Sequence, residues 1–128
     1  MYPNDFLYTK DHEWVKVEGE EAVVGITDFA QNQLGDIIFV ELPAVGKELG
    51  AHDTLGVVES VKSVSDIYAP VAGVVAAVNE ALDQTADLLN KDPHGQGWIA
   101  RLKVKDAKDL EGLMSAGDYE KFLEGLEH

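Results

Sequence analysis

The chain predicts a mainly β protein: a sandwich or barrel of short antiparallel strands with a helical appendage at the C-terminal end. Three observations predict it. Short apolar runs recur at close spacing through residues 14–104, and several alternate with charged side chains as half-buried strands do. Glycine and proline punctuate the intervals, where the chain must reverse. Short helical signals interrupt the strands at 27–35 and 79–90, and after residue 106 the pattern changes altogether to caps followed by helical segments.

Taken in order, Thr9–Glu13 is turn-like and Trp14-Val-Lys-Val-Glu18 alternates as a strand. Gly19-Glu-Glu reverses the chain, and Ala22-Val-Val-Gly-Ile26 completes a hairpin. Thr27 or Asp28 can cap a short helix, since either side chain accepts from the free first-turn N–H groups, and Gly35 ends it. Asp36-Ile-Ile-Phe-Val-Glu-Leu42 is a strand closed by Pro43, and Val45–Gly50 is turn-rich. Leu55–Val61 and Val64–Tyr68 form a second hairpin, with Val61 and Val64 expected to hold its turn between apolar strands. A turn at Pro70–Gly73 leads into the strand Val74–Val78. Asn79–Asn90 is mixed, with a helical turn capped by Asn79; 92–97 is a loop, and Trp98–Val104 alternates as a strand. Ala107–Met114 is expected as a short helix capped by Asp106. Ser115-x-x-Asp118 is expected as a capping box for Tyr119–Leu126, so the appendage spans about residues 106–127. A weak echo joins Val40–Gly46 to Tyr68–Gly73, too short to count as a repeat.

A length of 128 residues suits one domain, 1–128, with a sizeable core. Twenty-four acidic against 10 basic residues give a net charge of −14, which argues against nucleic acid as a partner and favours docking onto basic patches of other proteins. There is no cysteine, so disulfides, thiolate metal sites and cysteine nucleophiles are excluded. No apolar run is long enough to span a membrane, and the N-terminal residues carry no basic and apolar signal. The expectation is a soluble, intracellular protein in its mature form. Of the histidines, His12, His52, His94 and His128, none lies in a nucleophile motif or at metal-ligand spacing. Gly95-x-Gly97 is too short for a phosphate cradle.

Chemistry concentrates at Lys62, in Gly56-Val-Val-Glu-Ser-Val-Lys62-Ser-Val-Ser-Asp-Ile-Tyr-Ala-Pro70, where the second hairpin reverses. An exposed lysine on a tight turn is common in itself. Here the flanking serines, Ser60, Ser63 and Ser65, keep the tip small, so that an enzyme active site can close over the amine. A lysine amine is protonated in neutral water and must lose its proton before it can form an amide. Once acylated it becomes an uncharged, flexible arm.

The chain resembles the H protein family of the glycine cleavage system along nearly its whole length. The matching blocks are Tyr8-x-x-x-His12-Glu-Trp14, Gly25-Ile-Thr-Asp28 with Ala30-Gln31, Leu34-Gly35-Asp36, Phe39-Val-Glu-Leu-Pro43, Glu59-Ser-Val-Lys62-Ser, Asp66, Ala69-Pro70 with Gly73, Val78-Asn79 and Gly97-Trp98. The resemblance implies a barrel-sandwich hybrid of two antiparallel sheets, with lipoic acid joined as an amide to Lys62 at a hairpin tip. It implies a carrier without an independent catalytic cycle. A pyridoxal-phosphate glycine decarboxylase would load an aminomethyl group onto the arm, and a tetrahydrofolate-dependent aminomethyltransferase would unload it. Dihydrolipoamide dehydrogenase would reoxidise the arm, and a lipoate-attaching enzyme would install it. It further implies a surface cleft for the loaded arm. Glu13 is the carboxylate expected to face the aminomethyl cation there, with Asp66 as the second candidate and Asp11 as the third. A monomer is expected, in the bacterial cytoplasm, or in the mitochondrial matrix if a transit peptide has been removed.

Some family members carry histidines where this chain has Phe29 and Gln33; if one of those contributes polar contacts to the arm, this chain makes them differently, with Gln33 as an amide. Trp14 and Trp98 are expected in the core. Biotin carriers usually flank the acceptor lysine with methionines, whereas Lys62 has Val61 and Ser63. Lipoyl domains of 2-oxo-acid dehydrogenase acyltransferases have a different acidic flank and are shorter. A relay of lipoyl groups to other enzymes would share the sequence pattern; an interaction module with an unmodified lysine would differ in mass.

Overall fold

A computed structural model of the chain describes residues 2–126. Two antiparallel sheets face each other across one apolar core. The larger contains β1 (Leu7–Tyr8), β2 (Glu13–Glu18), β3 (Glu21–Ile26), β5 (Glu48–Leu49), β8 (Gly73–Val78) and β9 (Ala100–Val104), in the order β1-β2-β3-β9-β8-β5. The smaller contains β4 (Ile37–Glu41), β6 (Thr54–Ser60) and β7 (Val64–Tyr68), in the order β4-β6-β7. Between and beyond the strands lie α1 (Asp28–Leu34), α2 (Ala81–Gln84), α3 (Leu88–Lys91), a 3-10 segment (Ala107–Gly112) and α4 (Ala116–Leu126). Val24, Leu55, Val58, Val75 and Leu102 from the two sheets meet in the core, which α1 closes with Leu34 and α3 with Leu89.

The chain changes sheet by two crossings of similar form. Glu41 leaves the small sheet and arrives at β5; Tyr68 leaves it and arrives at β8, and β5 and β8 pair with Glu48 opposite Val74. The weak echo Val40–Gly46 and Tyr68–Gly73 falls on these two crossings.

The strand Trp14–Glu18 departs from simple alternation, because Glu13, Trp14 and Val15 are all buried. Val15 faces the core between the sheets, while Trp14 joins a second cluster with Phe6, Tyr8, Val23 and Tyr119 on the other side. Phe6 stacks on Trp14 at 4.7 Å and Tyr8 on Tyr119 at 4.8 Å. Covering both faces of one end of a sheet removes the polar positions that alternation would leave. Gly25 lies opposite Trp14, and a Cβ there would come within 2.6 Å of the indole ring, so the close approach requires glycine.

Several expected elements differ in extent. β1 and β5 carry no signal in the sequence, because two-residue strands have no period to detect. The expected strand Trp98–Val104 begins at Ala100; Ile99 still donates to Val24 O, while Trp98 is half-buried, with Arg101 5.8 Å over its ring, rather than a core residue. The N-cap of α2 is Glu80, not Asn79, although Asn79 Oδ1 accepts from Ala81 N at 3.3 Å. Asn79 Nδ2 is engaged instead with the carbonyls of Gln96 and Trp98 at 2.7 and 2.8 Å. The expected helix Ala107–Met114 is a shorter 3-10 segment, capped by Asp106, which accepts from Lys108 N at 3.0 Å. α4 begins at Ala116 rather than Tyr119, and Ser115 Oγ accepts from Asp118 N at 3.2 Å as its first-turn cap. Expectations that touch Met1, Glu127 and His128 lie outside the described residues. Among the described residues no helix is long and apolar enough to cross a membrane, and no three His, Cys, Asp or Glu side chains gather to hold a metal.

Candidate functional site

Lys62 sits on the exposed connection between β6 and β7. Polar groups hold this reversal, and the two valines expected to do so do not: Val61 and Val64 are each 65% exposed. Ser60 is buried and does the work from below. Its N–H donates to Ser63 O at 2.8 Å, and its Oγ accepts from the N–H groups of Lys62 and Ser63 at 3.3 and 3.1 Å. A hydroxyl that takes two successive N–H groups satisfies the donors that a tight turn strands. Valine could not supply this, and its side chain is left in water.

The tip is also tied sideways. Val61 N donates to Asp36 O at 3.0 Å, linking it to the junction of α1 and β4. Asn90, on α3, braces that junction from behind: its Nδ2 donates to Gln31 Oε1 and Gly35 O, each at 2.9 Å, and its Oδ1 accepts from Ile37 N at 2.9 Å. Asn90 thus grips both neighbours of Asp36, the residue whose carbonyl holds the tip. Gly35 ends α1 at φ +77° and makes room for the lysine stem; a Cβ there would lie 3.4 Å from Lys62 Cε.

Glu13 is 2% exposed, at the start of β2. The turn before it is organised by Thr9. Thr9 Oγ1 donates to Glu13 Oε1 at 2.8 Å and accepts from the N–H groups of Asp11 and Glu13 at 3.2 and 3.1 Å. His12 takes a left-handed backbone, φ 68°, which lets the chain turn this tightly. The second carboxyl oxygen, Oε2, accepts from Tyr68 N at 3.3 Å. Burial pushes the Glu13 carboxyl up to about 7; the Thr9 and Tyr68 hydrogen bonds oppose that rise, and Asp11 adds to it.

Glu13 and Asp11 line one cavity of about 350 Å³, together with Tyr8, His52, Pro70 and Met114. Asp66 and Lys62 do not line it. Asp66 is exposed on β7 opposite Val57, two residues from Tyr68. The structure therefore brings together two of the three acids named from the sequence. The cavity lies at the base of the Lys62 hairpin, since Tyr68 is the far end of β7. Four residue steps along the strand take Val64 to Tyr68, a rise of roughly 13 Å. Phe29 packs against His12 at 4.6 Å, and Gln33 is exposed on α1; neither lines the cavity.

Thr9 and Asn90 carry no functional assignment from the sequence, and Ser60, expected only to keep the tip small, also holds its backbone. Thr9, four residues before Glu13, has the spacing of a hydroxyl that caps a tight turn, so that signal was present. Asn90 had none, because its partners are 53 to 59 residues away.

The chain also compares closely with known proteins. The family description "Glycine cleavage H-protein" matches residues 6–126. The glycine cleavage system H protein of Carboxydothermus hydrogenoformans is 52% identical over 124 residues, covering 97% of this chain and 95% of the relative. The protein of the same name from Thermus thermophilus is 54% identical over 122 residues, covering 95% of each. The crystal structure of a glycine cleavage system H protein from Mycobacterium marinum superposes with a TM-score of 0.86 at 36% identity, covering 94% of this chain and 97% of that one. The two facing sheets are the barrel-sandwich fold expected from the resemblance. With its fold, its sequence and nearly its whole length in agreement, the chain belongs to the glycine cleavage H-protein family.

Proposed function

We propose that Lys62 carries lipoic acid as an amide and that Glu13 and Asp11 form the polar end of a cavity receiving the cationic end of the loaded arm. The family is the lipoyl-carrying shuttle of the glycine cleavage system. The observation that carries the residue assignment is the tip itself: an exposed amine on a turn whose backbone is held at Ser60 and Asp36. Attachment joins the carboxyl carbon of an activated acyl donor to Lys62 Nζ, which gives up a proton as the donor's leaving group departs.

The residues present fit such a group. The stem has room over Gly35, and the cavity combines apolar walls, Tyr8, Pro70, Leu113 and Met114, with one buried carboxyl. When bound, the lipoyl group supplies a disulfide that is reduced as it takes up the one-carbon unit and is later reoxidised. The chain's own part is to orient, to shelter and to hold charge. Thr9 and the Tyr68 N–H fix both oxygens of Glu13, so a cation entering the cavity meets a preorganised acceptor. Its approach favours the ionised carboxylate, opposing the effect of burial. The walls limit water around whatever the cavity holds.

In this reading the chain has no catalytic cycle of its own. It is presented in turn to glycine decarboxylase, the aminomethyltransferase and dihydrolipoamide dehydrogenase. Tethering makes each encounter effectively intramolecular while the carrier is docked.

The test is an intact mass of protein made in lipoate-supplied cells, with the modified peptide mapped. One amide-linked lipoyl group on Lys62 is expected, with Lys62→Arg folded, unmodified and inactive in glycine-dependent turnover. A mass that stays unmodified after incubation with a lipoate-attaching enzyme would overturn the assignment.

A further inference from the structure

We propose that Tyr119, on the C-terminal helix α4, is a positioning residue for Glu13: its hydroxyl bridges His12 and Thr27 and so fixes the turn from which the Glu13 carboxyl enters the cavity. The proposal rests on the reading of Glu13 as the acceptor for the cationic end of the loaded arm.

Among the described residues, His12 and His52 are the two other than glycine with a left-handed backbone, at φ 68° and 72°. A residue with a Cβ is disfavoured there, so its surroundings must hold it. His12 lies between Asp11 and Glu13, which both line the cavity. Its N–H donates to Thr9 O at 3.1 Å, and its carbonyl accepts from Thr27 N at 3.0 Å. Its ring packs against Phe29 of α1 at 4.6 Å and Phe122 of α4 at 6.0 Å. His12 Nδ1 is 2.8 Å from the Tyr119 hydroxyl, which is also 2.8 Å from Thr27 Oγ1. Tyr119 and Thr27 are both fully buried. Glycine would adopt this backbone without strain. The histidine adds a ring, and the ring is tied to α4.

The hydrogens can be assigned so that every group is satisfied. Thr27 Oγ1 accepts from Ala30 N at 3.2 Å as the cap of α1, so its own proton goes to the Tyr119 oxygen. The Tyr119 proton then goes to His12 Nδ1. This needs a neutral imidazole, and burial holds His12 below its ordinary value against the opposing pull of Asp11. If the His12 ring swung away, a buried hydroxyl would lose its acceptor, which is costly. Glu13 is within electrostatic reach of the same hydroxyl. Burial pushes Tyr119 up, the Thr27 bond opposes the rise, and the charges of Tyr2, Glu13 and Asp28 add to it.

Tyr119 also backs the cavity wall. Its ring stacks on Tyr8 at 4.8 Å, and Tyr8 N and O pair with Met114 O and N at 2.8 Å each. Tyr8 and Met114 both line the cavity. α4 therefore meets the cavity twice, through a ring behind its wall and through a hydroxyl on its turn. A phenylalanine would serve the wall equally well. The hydroxyl is what extends the hold to His12, and through His12 to Glu13.

The experiment compares the native chain with Tyr119→Phe, which keeps the stack on Tyr8, and His12→Gly, which keeps the left-handed turn and removes the ring. Two quantities are read. One is the titration midpoint of Glu13 in the unloaded protein, by carbon-13 NMR of the glutamate carboxyls. The other is the half-life of the loaded form, by intact mass. In both variants the midpoint should fall by about 1 pH unit, as the turn loosens and admits water, and the half-life should shorten about threefold. Lys10, Asp11 and His52 line the cavity in all three proteins, and a fall shared by His12→Gly does not come from charge on His12. Should Tyr119→Phe fold poorly, His12→Gly decides alone. A native value of either quantity in a folded variant, with only the melting temperature lowered, would make the contact structural and overturn the proposal. If Glu13→Gln keeps the loaded form as long as the native chain does, Glu13 does not hold the cation. The reading beneath the proposal then fails, and the proposal with it.

Discussion

A carboxyl that is 2% exposed and pushed up to about 7 by burial changes its charge near neutral pH. The sign of its effect on stability follows. Below the ordinary value of 4.5 the folded and unfolded chains both hold the proton on Glu13; between there and about 7 only the folded chain keeps it. The stability this group contributes is therefore full below 4.5 and is lost as the pH rises through about 7, a change on the order of 3 kcal/mol. Urea unfolding at about pH 5 and about pH 8 should show the native chain losing stability relative to Glu13→Gln across that interval. Parallel losses in the two proteins would mean that Glu13 titrates as an ordinary surface acid. A cation bound in the cavity should lower the Glu13 midpoint and be released as the carboxyl protonates. The sequence marked Glu13 by family position, but its burial depends on Thr9 and on Tyr68, 55 residues away.

At the scale of elements, the Lys62 hairpin depends on a helix it does not touch in sequence. Asn90 on α3 holds Gly35 O and Ile37 N, and between them Asp36 O holds Val61 N. Asn90→Ala removes three hydrogen bonds and strands half-buried backbone groups, a loss of roughly 2 kcal/mol in urea unfolding. The more specific expectation is local: the Val61 amide should exchange with solvent faster, beyond what the global loss explains. An exchange rate that follows global stability alone would remove Asn90 from the support of the tip. The strands, the α1 caps at Thr27 and Gly35, and the hairpin around Lys62 were legible because each is written in neighbouring residues. β1 and β5 were not, being made of two residues each and existing only through their partners.

Over the whole molecule the dominant property is charge. With a net charge of −14, the folded chain repels itself at low ionic strength. Among the described residues the pairs that offset this lie at or near the surface: Arg101 with Glu18 at 2.7 Å and Glu21 at 3.5 Å, Lys16 with Glu18 at 3.4 Å, Lys91 with Asp87 at 3.2 Å, and Lys105 with Glu48. Such pairs contribute little each. The melting temperature should therefore rise by a few degrees between about 10 mM and 150 mM sodium chloride, as the screening length falls from about 30 to 8 Å. A flat or falling curve would show that local ion pairs outweigh the net repulsion.

The division between sequence and tertiary structure follows the range of the forces involved. Alternation, caps and turn residues act within a few positions, so the chain alone announced its β class, its C-terminal helix and a lysine at a reversal. Long-range packing settled the rest. It buried Trp14 and Glu13 on opposite sides of one strand, by placing α4 and its aromatics on one face and the cavity on the other. It left Asp66 outside the cavity that Glu13 and Asp11 share. It also turned Ile38 and Phe39 outward together, because a bulge depends on the register with a partner strand, which a single strand's pattern does not carry.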